Sequence, residues 1–150
     1  MSTSQQLVEA LGLEPLNVCN GYFRETWRDA GSTVIYWLLP SDHFAAWHAA
    51  RHPEVFTYHS GAPLRIALLT AEGEFREHLI GPDAAAGQHP HFVVPGGVLQ
   101  AARTTGDHTL SSVVVAPPFT PDIVSTPDAE ELCARYPDHA EKIRSYASAG

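Results

Sequence analysis

The sequence predicts an all-β fold, a barrel or sandwich of short strands, with short helices at its two ends. Nine segments rich in Val, Ile, Leu and aromatic residues follow one another at even spacing, and Gly-, Pro- and Asp-containing turns separate them. Many short strands without helices between them are typical of a sandwich or barrel. The predicted strands are Tyr22–Trp27, Thr33–Leu39, Phe44–Ala49, Glu54–His59, Leu64–Leu69, Glu74–Ile80, His91–Val94, Val98–Arg103 and Thr109–Val115.

A short helix is predicted before the first strand, over Ser4–Leu11. Thr3 and Gln6 have the spacing of a capping box, and Gly12 can end the helix in the left-handed conformation. We expect this segment, which precedes the first strand, to pack outside the barrel.

A helical tail is predicted after the last strand. Four prolines between residues 117 and 127 interrupt the strand pattern, and Asp128–Tyr136 and His139–Tyr146 follow as two short helices. The chain length suits one domain. We therefore predict a single domain over residues 1–150, with the barrel over about 20–119 and the tail over about 127–147.

Composition narrows the classes of partner. The net charge is -8, and Lys142 is the only lysine beside eight arginines. This balance argues against a nucleic-acid backbone or an anionic membrane as partner. The N-terminus shows no secretory signal, and Cys19 and Cys133 are far apart with no metal-binding spacing, so we expect free thiols and a cytoplasmic location.

One histidine and one glutamate stand at a spacing that suggests a site. Glu54 follows His48 by six positions, and six residues separate Glu54 from Gly61. This pattern resembles the first signature of the cupins, HxH followed by Glu and Gly on two strands that face the barrel interior. Ala50 stands where that signature has its second His.

A second block, farther along the chain, supports the same resemblance. Pro95, Gly97 and Gln100 match the PxG-x-x-His signature, with Gln in place of the final His. The resemblance implies a cupin double-stranded β-helix, the jelly-roll barrel of RmlC-like sugar epimerases.

Several further blocks resemble a narrower, uncharacterised family of single-domain cupins. That family is recognised by GGYFRETY-like, WH…DE, YxGxPL and VPxGxWQAA motifs, here NGYFRETW, WH…PE, HSGAPL and VPGGVLQAA. The blocks recur in order from about residue 7 to residue 119. The resemblance implies a jelly roll and usually a dimer, and it leaves the activity open.

Strand alternation predicts which side chains face the interior. If Glu54 points inward, Phe56 and Tyr58 do so too, and His48 is expected to point inward together with Ala46. Gln100 would complete an apolar interior with a few convergent polar groups, which is the usual character of a ligand site.

The first predicted strand offers two further ligand-binding candidates. Tyr22 and Arg24 share one face with Thr26, whereas Phe23, Glu25 and Trp27 share the other, and the pattern does not decide which face is inner. Arg24 could clamp a carboxylate or phosphate of the substrate, or it could pair with an acid in the wall.

The leading functional hypothesis is an enzyme that performs acid-base chemistry on a small organic molecule, of the epimerase, cyclase or lyase type. His48 would act as base, and Tyr58 or Glu54 would act as acid. Phe56, Gln100, Tyr22 and Arg24 would bind the substrate.

Two other functions stay open. A metal-dependent oxygenase would hold one divalent ion (Fe, Mn, Ni or Zn) on His48, Glu54 and Gln100, with His91 as a possible extra ligand. A non-catalytic module would bind a sugar or another small ligand, since the same barrel hosts all three classes. In each case we expect a homodimer, because sheet edges such as Tyr22–Trp27 need to be covered.

Overall fold

The computed structural model describes residues 1–16 and 20–147 as two antiparallel sheets that face each other. The predicted all-β jelly roll with short terminal helices is confirmed, and each of the nine predicted strands is present within two residues of its expected bounds. The helices in the described part are α1 (Thr3–Leu11), α2 (Ala129–Arg135) and α3 (Ala140–Ser145). The strands there are β1 (Glu14–Pro15), β2 (Tyr22–Arg28), β3 (Thr33–Pro40), β4 (Ala45–Ala50), β5 (Glu54–Gly61), β6 (Leu64–Leu69), β7 (Phe75–Ile80), β8 (His91–Val94), β9 (Leu99–Thr104), β10 (His108–Val115) and β11 (Val124–Ser125).

The order of the strands is that of a jelly roll. The first sheet runs β1-β2-β3-β10-β5-β8, and the second runs β11-β4-β9-β6-β7. Strand β10 therefore lies between β3 and β5, and β9 lies between β4 and β6, so that strands distant in sequence are neighbours. The main hydrophobic core fills the interior between the two sheets.

Helix α1 covers part of the outer face of the first sheet. Its apolar residues pack against Leu38 and Leu110. Its capping box lies one residue earlier than predicted: Ser2 accepts from the Gln5 backbone N–H, and the Gln5 side chain accepts from the backbone N–H of Ser2. Gly12 ends the helix in the left-handed conformation, as predicted.

The helical tail covers the outer face of the second sheet. Leu132 of α2 and Ile143 of α3 are fully buried against Trp47 of β4 and Leu69 of β6. The Trp47 indole N–H donates to the Ile143 carbonyl oxygen at 3.0 Å. The tail therefore belongs to the packed body of the chain.

A bulge in β4 decides which of its side chains face the interior. Ala45 pairs with Ala102 of β9 and His48 pairs with Gln100, so three steps along β4 match two along β9. Ala45 and His48 consequently both point inward. The expectation that Ala46 accompanies His48 was wrong, because the bulge moves Ala46 to the exposed surface.

A second bulge changes the alternation of β2. Glu25 pairs with Ile35 and Trp27 pairs with Val34, the preceding residue on β3. Thr26 is thus the extra residue, and Trp27 does not share the face of Glu25 as the simple alternation predicted. The Trp27 side chain is 55% exposed.

The two cysteines can be placed only in part. Cys133 is buried in α2 with a free thiol, as expected. Cys19 lies outside the described residues. In the described ranges, no helix is long and apolar enough to cross a bilayer.

Candidate functional site

The barrel interior contains a small cavity of about 40 Å³ that three polar residues border. His48, Glu54 and Gln100 line it together with apolar side chains that include Trp37 and Val113. The structure thus brings together the three residues that both cupin-like sequence blocks predicted. His48 and Gln100 are buried, at 4% and 3% exposure, whereas Glu54 is half-buried at the cavity wall.

His48 is held by the bulge of its own strand. The residue is only 4% exposed, and its Nδ1 lies 2.7 Å from the carbonyl oxygen of Ala46. Because a carbonyl oxygen can only accept, Nδ1 carries the proton in this contact. Nε2 is therefore the ring nitrogen that can accept a proton, and the contact with Ala46 fixes the orientation of the ring.

Glu54 and Gln100 form a direct hydrogen bond across the interior. The Gln100 Nε2 donates to Glu54 Oε1 at 2.7 Å, and Gln100 lies opposite His48 on the neighbouring strand. Burial raises the pKa of the Glu54 carboxyl, and this effect outweighs the opposing influences of His48 and of the Gln100 hydrogen bond. Glu54 therefore holds its proton to higher pH than an exposed glutamate.

The three residues together form an acid-base arrangement. In its protonated form the Glu54 carboxyl can donate a proton, the imidazole of His48 can accept one, and Gln100 orients the carboxyl. Such a pair in an apolar cavity can take a proton from one atom of a small molecule and return one to another.

Phe56 and Tyr58 follow Glu54 on the same strand but differ in position. Phe56 is buried, lines the cavity and contacts Trp37 at a ring distance of 5.8 Å. Tyr58 packs against the core, yet it does not line the cavity, and its hydroxyl donates to the Gly61 carbonyl oxygen at 2.6 Å. Four residues of strand span about 13 Å, so sharing a face does not bring Tyr58 to Glu54.

The structure does not bring Tyr22 and Arg24 to the cavity either. Both lie on the outer face of β2, where Tyr22 packs with α1 and its ring lies 5.3 Å from that of His43. Arg24 Nη1 donates to the Leu11 carbonyl oxygen at 3.2 Å, near the C-terminus of α1. The neighbouring Phe23 is the residue that faces inward.

The described donors do not fit a transition-metal site. His91 is exposed on β8, paired with Thr57, and lies away from the cavity. Within residues 1–16 and 20–147, no group of three or more His, Cys, Asp or Glu side chains converges. His48 and Glu54 are then the two strong donors, whereas Zn and Fe sites usually have three or four protein ligands.

A second cavity adjoins the first, and the sequence did not predict it. It measures about 80 Å³ and is bordered by Phe23, Val115 and Phe119, with Glu25 at its edge. Glu25 forms a two-point ion pair with Arg28, at 2.7 and 2.9 Å. In a regular strand these two residues would lie on opposite faces, and the bulge at Thr26 places them on the same face.

Solved structures with the same fold cover nearly the whole chain. A protein of Shewanella oneidensis is 28% identical, with a TM-score of 0.90, and covers 97% of this chain and 98% of its own. A hypothetical protein from Leishmania major is 22% identical, with a TM-score of 0.88, over the same shares of the two chains. Oxalate decarboxylase from Bacillus subtilis is 12% identical, with a TM-score of 0.63, over 89% of this chain and 37% of its own, and so shows the fold alone.

The sequence comparisons identify the family. No curated protein matches the chain. The family model described as "Cupin superfamily (DUF985)" matches residues 5–125, which include every strand of the barrel and the whole candidate site. The chain therefore belongs to the cupin superfamily, in the DUF985 family.

Proposed function

We propose that this protein is an enzyme that moves protons on a small organic molecule, with His48 as base and Glu54 as acid. The chemistry would be of the isomerase, cyclase or lyase type. The observation that supports this most is the Glu54 carboxyl, which is bonded to Gln100 inside an apolar cavity beside a buried imidazole.

The energetic cost of this arrangement supports a functional role. Hydrogen bonds to Ala46 and Gln100 offset only part of the cost of burying His48 and Glu54, and apolar residues would fill the same space without that cost. His48 and Glu54 instead border a cavity between the described side chains. Stability alone gives no reason for that combination.

Deuterium incorporation tests the proposal even though the substrate is unidentified. The protein is incubated in D₂O with a panel of small carbonyl and hydroxy compounds, and carbon-bound protons are followed by ¹H NMR. We expect exchange above the buffer rate for at least one compound. His48→Asn and Glu54→Gln should each lower that rate by about 10²–10⁴-fold, the usual contribution of a general acid or base.

His91→Asn is the matched control, because His91 is exposed and outside the cavity. It should exchange at the wild-type rate. Wild-type rates in both cavity variants, or no exchange with any compound, would reject the proposal. A rate that chelation abolishes and added Fe, Mn, Ni or Zn restores would replace it with the metal-dependent function.

A homodimer and a cytoplasmic location are also part of the proposal. Trp27, which is 55% exposed, lies on β2 near one edge of the first sheet, and Val93, which is 46% exposed, lies on β8 at the other edge, so a second copy could cover either edge. Light scattering should give twice the chain mass of 16.3 kDa. A mass of one chain at micromolar concentration would contradict the dimer.

A further inference from the structure

Resting on the proposed acid-base function, we propose that the ligand is an uncharged, mainly apolar molecule of about ring size. It carries one hydroxyl or carbonyl group that reaches Glu54. The apolar body of the ligand occupies the second cavity, and its polar group lies at the boundary with the first. This assigns a ligand subsite to the cavity formed with Phe23, Val115 and Phe119.

The two cavities meet at the Glu54 side chain. Four of the described residues line both of them: Leu16, Ile35, Glu54 and Val113. Glu54 is the titratable member of that shared wall. A molecule that spans both spaces therefore has its polar contact fixed at one point along its length.

Each cavity adds two polar residues beyond the shared wall: His48 and Gln100 in the first, Glu25 and Thr33 in the second. Those of the second are bonded to groups of its own rim, because Arg28 donates twice to Glu25 and the Phe119 backbone N–H donates to the Thr33 hydroxyl at 3.0 Å, and the rest of that wall is apolar. Burial of apolar ligand surface against apolar walls is favourable. The body of the ligand should therefore lie in the second cavity, with its polar end towards the first.

The charges around the cavities disfavour an anion. Among the described residues that line them there is no lysine or arginine. The nearby guanidinium of Arg28 is engaged by both carboxylate oxygens of Glu25 and also donates to the Phe119 carbonyl oxygen at 2.9 Å. A carboxylate or phosphate entering this space would lose its hydration without gaining a cation.

A cationic ligand is disfavoured for a related reason. The Glu25 carboxylate is already neutralised by Arg28. Burial favours the neutral form of Glu54, whose Oε1 is also occupied by the Gln100 amide. The carboxyl is thus suited to a hydrogen bond with a neutral hydroxyl or carbonyl.

The cavity volumes limit the size of the ligand. The two spaces measure about 40 and 80 Å³. An engineered apolar cavity of about 150 Å³ in another protein binds benzene. The two spaces together are somewhat smaller than that cavity, so they suit a single small ring at most and exclude a nucleotide sugar.

Matched ring compounds test the inference on the wild-type protein. Binding of cyclohexanone, phenol, benzoate and benzylamine is measured by ligand-observed NMR at pH 7. We expect the two neutral compounds to bind and the two charged compounds to bind at least about tenfold more weakly, a difference of about 1.4 kcal/mol. Equal or tighter binding of benzoate or benzylamine, or no binding of either neutral compound, would overturn the inference.

Two adjacent residues of β10 localise the binding. Val115 lines the second cavity, whereas Val114 points to the opposite face of the sheet. Val115→Phe should fill the space and weaken binding of cyclohexanone at least tenfold, and Val114→Phe should leave it unchanged. Equal effects of the two substitutions would place the ligand elsewhere and contradict the inference.

Phe119→Ala gives an independent measurement if Val115→Phe does not fold. This change enlarges the second cavity from its partly buried wall, so binding should shift in favour of 4-propylcyclohexanone over cyclohexanone. An unchanged preference would contradict the subsite. These binding results are separate from proton transfer. If neutral rings bind but no compound exchanges deuterium, the proposed function is rejected and the inference about the ligand is kept. If a compound exchanges deuterium but neutral rings do not bind, the proposed function is kept and the inference is rejected.

Discussion

Trp47 and His48 are adjacent in sequence, almost equally buried at 2% and 4% exposure, and they point to opposite faces of the second sheet. Trp47 lies between the sheet and the helical tail, with ring contacts to Phe75 at 6.2 Å and to Tyr146 at 5.9 Å. Its indole N–H donates to a backbone carbonyl. His48 instead borders a cavity that also contains Glu54.

The comparison shows that burial by itself does not indicate function. The side of Trp47 is filled by apolar and aromatic groups, and its polar atoms are bonded to fixed partners, which is what stability requires. The side of His48 combines ionisable groups with unfilled space. The presence of space beside groups that are costly to bury is the feature that distinguishes a site from a core.

The largest expected effect is a difference in the free energy of unfolding between a variant at Trp47 and a variant at His48. Trp47→Ala should lower the free energy of unfolding by about 3–5 kcal/mol, because it leaves a cavity between sheet and helices. His48→Ala should cost less, about 1–2 kcal/mol, because it removes a hydrogen-bonded ring beside space that is already open. Urea denaturation of both variants measures the difference. Equal losses would show that His48 is as much a structural residue as its neighbour.

The sequence was sufficient for the fold and for the centre of the site. Turn residues and strand lengths predicted all nine main strands, because each local pattern agrees with the final structure. The spacing of His48, Glu54 and Gln100 predicted that they converge, and they do. These predictions depend on residue type and spacing, which the sequence contains directly.

Some of the predictions about which other side chains line the cavity failed, because they depend on bulges and tertiary packing that the simple alternation of strand residues does not contain. Bulges at Ala46 and Thr26 each shift the facing of a strand by one residue, and no residue type there indicates them. Tyr58 shares the face of Glu54 but lies too far along the strand. Arg24 points to the outer face, where its guanidinium contacts the end of α1. The position of α1 on the sheet is a tertiary property that the local sequence does not contain.

A smaller effect, expected for Glu54→Gln, concerns how stability depends on pH. Burial raises the pKa of Glu54 above its ordinary value of 4.5, so the folded state keeps a proton that the unfolded state has already released. This contribution is present below that value and is lost as pH rises through the folded pKa. The variant lacks it, so its stability relative to wild type should increase as pH rises above about 4.5.

Thermal or urea denaturation of both proteins between pH 4 and pH 8 gives this difference. Other carboxylates titrate alike in the two proteins and cancel. A difference that stays constant across the range would mean that Glu54 titrates as an exposed group. That result would remove the acid from the proposed pair.

The smallest expected effect is on the stability of Tyr146→Phe, a substitution on the side of the second sheet that the helical tail covers. This effect should change with pH in the alkaline range. Tyr146 is 3% exposed, and its hydroxyl donates to Glu77 Oε2 at 2.9 Å, so Tyr146→Phe should cost about 1 kcal/mol at neutral pH.

Burial, followed by the hydrogen bond to Glu77, raises the pKa of Tyr146 well above its ordinary value of 10.0. In the unfolded chain the phenol ionises near pH 10, while in the folded protein it stays neutral. The stabilising contribution is therefore complete below pH 10 and declines above it, so the deficit of Tyr146→Phe should shrink between pH 10 and pH 11. Urea denaturation at neutral and alkaline pH measures this change. If the deficit instead changed between pH 6 and pH 8, the region around Trp47 would titrate in the same range as the cavity, and the distinction between a packed face and a functional one would fail.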